Sequence, residues 1–477
     1  MTDKPQLITY PDRLAPDLPS LHRLLDEQLA GVFDGVHVLP FFEAIDGADA
    51  GFDPTDHSRV DPRVGGWDDV RHLAQGRTVC ADLIVNHAST RSPQFLDWCQ
   101  QGEESSYSSM FLTPEKVFGG EPTAEQRARI YRPRPTPPFT DVEFSDGTVR
   151  SIWTTFTAEQ ADLDVESAAG WAYLIGILDR FAAAGIGIVR LDAAGYAIKR
   201  AGTSCFMLPE TFEFIDRLVE ACHEREMRVL VEVHGHFTDQ IRLAERVDLV
   251  YDFVLPPLAI DALTTGDAGP LKRWIRVRPN NAVNVLDTHD GIGVIDVGGR
   301  PDDPNRRPLL SADRIHDLVE GIHERTNGES AQATGAAASN LDLYQVNSTY
   351  YDALGRDDAC YLAARAIQVL LPGIPQVYYA GLLAGENDME LLAATGQGRE
   401  INRHRYTADE IDAALRRPVV TSLLDLLRWR MNEPAFDGTF ELLDSPDHQL
   451  AVRWSSDTST IERVIDVRAA TVDQPHR

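Results

Sequence analysis

Three short apolar runs of this chain end in or carry a carboxylate: Gly187-Ile-Val-Arg-Leu-Asp192, Val229-Leu-Val-Glu232-Val-His234 and Val283-Asn-Val-Leu-Asp-Thr-His289-Asp290. Each reads as a buried strand that delivers an acid to its C-terminal tip, where barrel enzymes keep their chemistry. Residues i and i+2 of a strand share a face, so Arg190 points with Asp192 and is expected to keep that carboxylate ionised. Glu232 has the apolar neighbours Val231 and Val233, which are expected to raise its pKa. One charged and one protonated carboxyl, about 5 to 5.5 Å apart, is what a retaining displacement at a sugar carbon requires: one attacks while the other protonates the leaving oxygen. A single Asp drawn from the 74 acidic residues would read as a solvated surface charge. Three acids at strand tips, with Arg and His in register, read as a site.

Eight strand-like runs recur along the chain, at 6–10, 36–42, 79–86, 186–191, 229–233, 249–254, 283–286 and 375–379. Several are β-rich without clean alternation, as parallel strands buried on both faces are. Amphipathic helical stretches fit between them, for instance 168–184, 209–225 and 357–370, and eight such units predict a (β/α)8 TIM barrel of the α/β class. A doubly wound open sheet is the rival, but no Gly-x-Gly-x-x-Gly follows any strand.

Two connections are too long for barrel loops. Residues 88–165 carry the proline-dense Tyr131-Arg-Pro-Arg-Pro-Thr-Pro-Pro138, and residues 291–355 are rich in Gly, Asp and Ala. Both are expected to be insertion domains over the strand tips, after strands 3 and 7. The barrel then comprises 1–87, 166–290 and 356–435, and the hairpin pattern of 436–477 predicts a short C-terminal β domain.

Composition narrows the function classes. A formal net charge of −29 argues against nucleic acid and anionic membrane surfaces as partners and favours a neutral substrate. An anion entering the site would need local cations. Five scattered cysteines (Cys80, Cys99, Cys205, Cys222, Cys360) without a Cys-x-x-Cys pair read as small core residues in a reducing compartment. No basic-then-apolar leader and no membrane-spanning stretch is visible, so a cytoplasmic location is expected.

The blocks Asp82-Leu-Ile-Val-Asn-His87, Gly187–Asp192, Glu232-Val-His234 and Leu286-Asp-Thr-His-Asp290 resemble the four ordered sequence regions of the α-amylase superfamily. Gly47-Ala-Asp-Ala-Gly-Phe-Asp-Pro54, Ala336-Ala-Ala-Ser-Asn-Leu-Asp-Leu-Tyr-Gln345, Gly373-Ile-Pro-Gln-Val-Tyr-Tyr-Ala-Gly381 and Gly398-Arg-Glu-Ile-Asn-Arg-His404 are similar, more narrowly, to the sucrose phosphorylase family over nearly the whole chain. The departure is at the end, where the segment after 436 is shorter than is usual for that family.

The resemblance implies Asp192 as nucleophile, Glu232 as general acid/base and Asp290 as transition-state stabiliser. It implies Asp49, His87, His289 and Arg399 as partners of glucosyl hydroxyls, with Phe52 and Phe156 as apolar walls and Arg190 beside the nucleophile. Phosphate falls by the same resemblance to Arg134, with Tyr131, Tyr196, Leu343 and Tyr344, while Arg132 reads as solvating the proline stretch. Gln345, Asp342 and His234 are the candidates for holding the leaving sugar. Asn86 beside His87 admits a metal reading, because calcium-dependent amylases use an Asn in this block, but the closer resemblance implies no metal and no cofactor.

The implied reaction is the reversible conversion of sucrose and inorganic phosphate to glucose 1-phosphate and fructose, in a homodimer. Alternatives are a glucosylglycerate or glucosylglycerol phosphorylase, a retaining α-glucosidase, and a non-catalytic barrel. The intact acid trio speaks against the last.

Overall fold

The computed structural model describes residues 3–44, 50–132, 136–299, 306–334 and 345–473. All eight expected strands form and close into a parallel barrel: β1 (Gln6–Thr9), β2 (Gly35–Val38), β3 (Thr78–Ile84), β4 (Ile188–Asp192), β5 (Arg228–Val231), β6 (Leu249–Asp252), β7 (Ala282–Asn284) and β8 (Ile374–Tyr378). Neighbours follow chain order, and β8 closes on β1 in the register Gln6↔Gln376. The run expected over 36–42 is cut at Val38. Pro40 cannot donate to a ladder, and Phe42–Ala44 instead pairs antiparallel with Pro54–Val60.

Helices cover the outside where the apolar periodicity predicts them, among them Ala168–Ala183, Pro209–His223 and Asp358–Leu370. Their starts carry the expected chemistry. Ser167 Oγ accepts from Gly170 N–H at 3.0 Å, Asp357 Oδ1 accepts from Cys360 N–H at 2.8 Å, and Pro209 occupies the first turn of its helix.

Inside the barrel, Cys80, Ile188, Leu230, Leu249, Val283 and Ile374 form a buried apolar cluster. Cys99 and Cys360 depart from the core reading, because both are only partly buried. Two residues further toward the tips of β3 and β4 the interior changes character. Asp82 and Arg190 are partners in the strand register, both fully enclosed, and Arg190 Nη1 donates to Asp82 Oδ1. The second Asp82 oxygen lies 3.0 Å from His37 Nε2, and Tyr251 Oη lies 3.2 Å from the other nitrogen of that ring. Burial alone would raise the Asp82 pKa, but the Arg190 and His37 charges overcome it and hold the carboxyl below the usual range.

The connection after β3 pairs His87–Ser89 with Gln160–Asp162 and Phe139–Glu143 with Val149–Trp153, both antiparallel. The connection after β7 pairs Ile292–Gly293 with Gln345–Val346 and contains the helix Ala312–Arg325. Beyond the barrel a four-stranded antiparallel sheet follows, β9 (Thr439–Leu443), β10 (Gln449–Ser455), β11 (Thr460–Asp466) and β12 (Thr471–Val472). It is docked by Trp454, whose indole N–H donates to Leu370 O at 2.7 Å, and by Arg430, stacked 4.0 Å over Phe436.

Removing one partner of a fully enclosed ion pair leaves the other charge uncompensated. Asp82→Ala is expected to lower stability by about 3–5 kcal/mol in denaturant unfolding. A loss below about 1 kcal/mol would mean that Arg190 is balanced without Asp82.

Candidate active site

Arg190 and Asp192 leave β4 on one face, as the two-residue period requires, and Arg190 Nη1 donates to Asp192 Oδ1 at 3.0 Å. The other guanidinium end lies 4.0 Å from Glu232 Oε2, so one enclosed cation stands between the two tip carboxylates. Directly after Asp192 the chain turns sharply at Ala193, which adopts φ 56° without being glycine. A non-glycine residue in that region carries a penalty of about 1 kcal/mol. The turn aims Ala193 N–H at Glu232 Oε2, 3.2 Å away, and so ties the tip of β4 to the residue following β5.

Asp290 arrives on the loop after β7. Arg399 Nη1 lies 2.6 Å from its Oδ1, Arg403 Nη2 4.0 Å from the same atom, and His289 Nε2 3.7 Å from its other oxygen. Burial raises this carboxyl, but the charges of Arg399 and Arg403 oppose it, and its pKa falls below the usual range. Glu232, His234 and Asp290 bring ligand-type atoms within 4.8 Å of one another. Among the described residues this is the only grouping close enough for a metal ion, and cations of the protein already face it.

Asp192 behaves differently from the sequence expectation. Burial pushes its pKa well up from the ordinary carboxylate value, and Glu232, Asp82 and Asp290 push the same way, while Arg190 opposes them. Arg190 does not hold Asp192 ionised by itself because its charge is divided, with Asp82 taking a share.

An aromatic wall faces the acids. Phe52 stacks on His289 at 4.8 Å and 13°, and the Arg190 guanidinium lies 5.4 Å from the Phe52 centroid. His87 Nε2–H donates to Phe52 O at 2.9 Å, which sets its tautomer with Nδ1 as acceptor. The wall continues from His87 to Phe156 at 5.2 Å, to Tyr196 at 5.3 Å and to Tyr131, stacked on Tyr196 at 6.1 Å. Burial lowers the His289 pKa to about 3, so that ring is neutral and can both donate and accept.

The structure therefore brings Asp192, Glu232, Asp290, Arg190, Phe52, His87, Phe156, His234, His289, Arg399, Tyr131 and Tyr196 together. Gln345 is near but committed: its Oε1 accepts from Gly291 N–H at 3.0 Å, directly after Asp290. Asp49, Arg134, Asp342, Leu343 and Tyr344 lie outside the described residues. Arg132 Nη1 donates to Thr136 O at 2.5 Å, bracing the proline stretch. The oxygen of Asn86 that the metal reading would use accepts from Lys199 Nζ at 2.8 Å, and the same ammonium lies 2.7 Å from Asp162 Oδ2 and donates to Tyr196 O.

Sequence reasoning missed Lys199, Arg403 and Asp296, each a charge whose partners come from distant segments. It quoted Asp82 only as the start of a block. Its signal was present, an acid two residues past Cys80 on an inward-facing register.

A closed parallel barrel with carboxylates at the tips of β4, β5 and the β7 loop, one pair sharing an arginine, defines the α-amylase class of sugar-transferring barrels. The alpha-amylase catalytic domain model matches residues 29–206. A sucrose phosphorylase from Agrobacterium vitis is 55% identical over 466 residues, covering 98% of this chain and 95% of that protein. One from Bifidobacterium adolescentis is 53% identical over 460 residues, covering 96% and 91%. The crystal structure of sucrose 6F-phosphate phosphorylase from Thermoanaerobacter thermosaccharolyticum superposes with a TM-score of 0.91 at 38% identity, over 99% of this chain and 95% of that one. The chain belongs to the sucrose phosphorylase family.

The raised Asp192 pKa has a consequence for stability. A carboxyl raised on folding contributes fully below its unfolded pKa of about 3.9, and that contribution is lost as pH rises through the folded value. Asp192→Asn is expected to raise the Tm at pH 7 by about 2 °C, with the gain shrinking as the pH is lowered toward about 4. A variant less stable than the parent at pH 7 would contradict the direction.

Proposed function

We propose that the protein catalyses the reversible phosphorolysis of sucrose to α-D-glucose 1-phosphate and D-fructose, through a covalent β-glucosyl ester. The observation that carries this is the enclosed guanidinium of Arg190, 3.0 Å from Asp192 and 4.0 Å from Glu232, in a chain with full-length similarity to sucrose phosphorylases.

In the first half-reaction Asp192 attacks the anomeric carbon, and the bond from that carbon to the fructosyl oxygen breaks. Glu232 as general acid passes a proton to that oxygen, and fructose leaves. Arg190 supports this division of roles, because its hydrogen bond to Asp192 favours the charged form of that carboxyl against the burial that opposes it. In the second half-reaction a phosphate oxygen attacks the same carbon from the vacated side and gives a proton to Glu232. The ester bond breaks, and Asp192 is restored. Two inversions leave the α configuration.

Asp49, His87, His289 and Arg399 hold the glucosyl hydroxyls in this reading, with Phe52 and Phe156 against the ring and Asp290 opposing the positive charge that develops on it. Arg134 takes the phosphate with Tyr131, Tyr196, Leu343 and Tyr344, and a local guanidinium fork is needed in a chain of net charge −29. Gln345, Asp342 and His234 serve the leaving fructose. Both ligands approach the same side of the intermediate, so fructose must leave before phosphate enters.

Less similar relatives carry the names glucosylglycerol and glucosylglycerate phosphorylase. A glycerate carboxylate would need a dedicated cation, and residues 336–350 contain no Lys or Arg. The proposed location is cytoplasmic and the proposed assembly a homodimer. Among the described residues no helix is long and apolar enough to cross a membrane.

Glu232→Gln is expected to lose at least about a hundredfold more rate on sucrose than on α-glucosyl fluoride, whose leaving group needs little protonation. Equal losses on the two donors would remove Glu232 from the acid role. The overall reaction is tested by incubating sucrose with and without phosphate and identifying the products. Glucose 1-phosphate and fructose are expected when phosphate is present, and in reverse fructose should outcompete glycerate for glucose 1-phosphate. Free glucose irrespective of phosphate would mean an α-glucosidase, and mainly glucosylglycerate in the competition would mean a different acceptor.

A further inference from the structure

His234 lies two residues beyond Glu232, and its Nε2 lies 3.8 Å from Glu232 Oε1. What fixes the ring in that orientation is a carboxylate from another loop. Asp296, in the short 3-10 turn Ile295–Val297, is fully buried, and its Oδ2 lies 3.0 Å from His234 Nδ1. Its Oδ1 accepts from Gly235 N–H at 3.1 Å and from Gln240 Nε2 at 3.0 Å. A carboxylate enclosed this way persists only where such donors meet it. The ring is also clamped on its face, stacked on Phe253 at 3.9 Å and 19°.

The backbone makes room for this contact. A Cβ at Gly293 would come within 2.6 Å of Asp296 Oδ2 and 3.3 Å of His234 Nδ1, so a larger residue there would push the pair apart. Asp296 lies six residues beyond Asp290, and the segment between them includes Gly293, paired in register with Gln345. The Asp296–His234 bond therefore links the loop that carries Asp290 to the residues following β5 that carry Glu232.

We infer that Asp296 is a positioning residue for leaving-group departure: it holds the Nδ1–H of His234, and thereby fixes the Nε2 of that ring beside Glu232 on the side where the fructosyl oxygen leaves and the acceptor enters. Asp296 touches no reacting atom and acts only through His234. A carboxylate that fixes the tautomer and tilt of an imidazole at a proton-transfer site is a recurring device. This inference rests on the proposed role of Glu232 as acid/base.

Asp296→Asn preserves shape but turns an NH2 toward Nδ1, which forces the opposite tautomer. The variant is expected to lose about 10- to 100-fold in kcat/KM for sucrose and less than about threefold for α-glucosyl fluoride with phosphate, because fluoride leaves without help. Gly293→Ala, which leaves all the polar side chains in place, is expected to show the same donor dependence. In a His234→Ala background, Asp296→Asn is expected to add less than about twofold, since the partner through which it acts is gone. Full additivity with His234→Ala, or equal losses on both donors, would overturn the inference. Glu232→Gln, assayed alongside, keeps the two failures apart: if it too loses both donors equally, the acid assignment has failed, whereas a donor-selective Glu232→Gln beside a non-selective Asp296→Asn rejects Asp296 alone.

Discussion

A guanidinium with almost no access to water, inside a closed barrel, is the constraint on which the site depends. Arg190 is 2% exposed and is met by Asp82, Asp192 and Glu232, one acid from each of three neighbouring chain segments. A charge in that position is tolerated only while those carboxylates surround it. The carboxylates in turn are gathered around the cation they share. Asp82 anchors the arrangement from below through His37 and Tyr251, so the register of β3 against β4 sets where Arg190 meets it.

Around that centre the long connections do different work. The one after β3 supplies the aromatic wall, and Lys199 joins it to the barrel. Its ammonium meets Asn86 at the tip of β3, Asp162 of the inserted segment and the Tyr196 carbonyl beyond β4. Asn86 precedes His87, and Asp162 is the register partner of His87, so the cation sits under the histidine that faces Phe52 and Phe156. The connection after β7 supplies electrostatics instead. It carries Asp290 among Arg399, Arg403 and His289, and it carries Asp296 under His234.

Asp290 and Asp192 are thus tuned by opposite means. Asp290 is ionised because cations outweigh its burial, whereas Asp192 is raised because burial and three other carboxylates outweigh its share of Arg190. Opposite shifts on neighbouring carboxyls suit chemistry that must protonate one oxygen and then deprotonate another.

The barrel was legible in the sequence because its signals are local. Apolar runs of four to eight residues, Pro and Ser at helix starts, and the spacing between runs require no knowledge of distant contacts. All eight strands form where those runs lie, with their ends trimmed where a proline or a competing antiparallel partner intervenes. The acids at the tips were legible for the same reason, as was the shared face of Arg190 and Asp192. What the sequence could not decide was how one charge is divided among several partners. That Arg190 is shared with Asp82, that Gln345 spends its oxygen on Gly291, that Lys199 fills the Asn86 corner and that Asp296 lies under His234 all depend on segments 54 to 113 residues apart meeting in space. Strand period and helix propensity act over a few residues, whereas burial and Coulomb interaction act through whatever the fold brings near, so the direction of the Asp192 shift belonged to the tertiary structure alone.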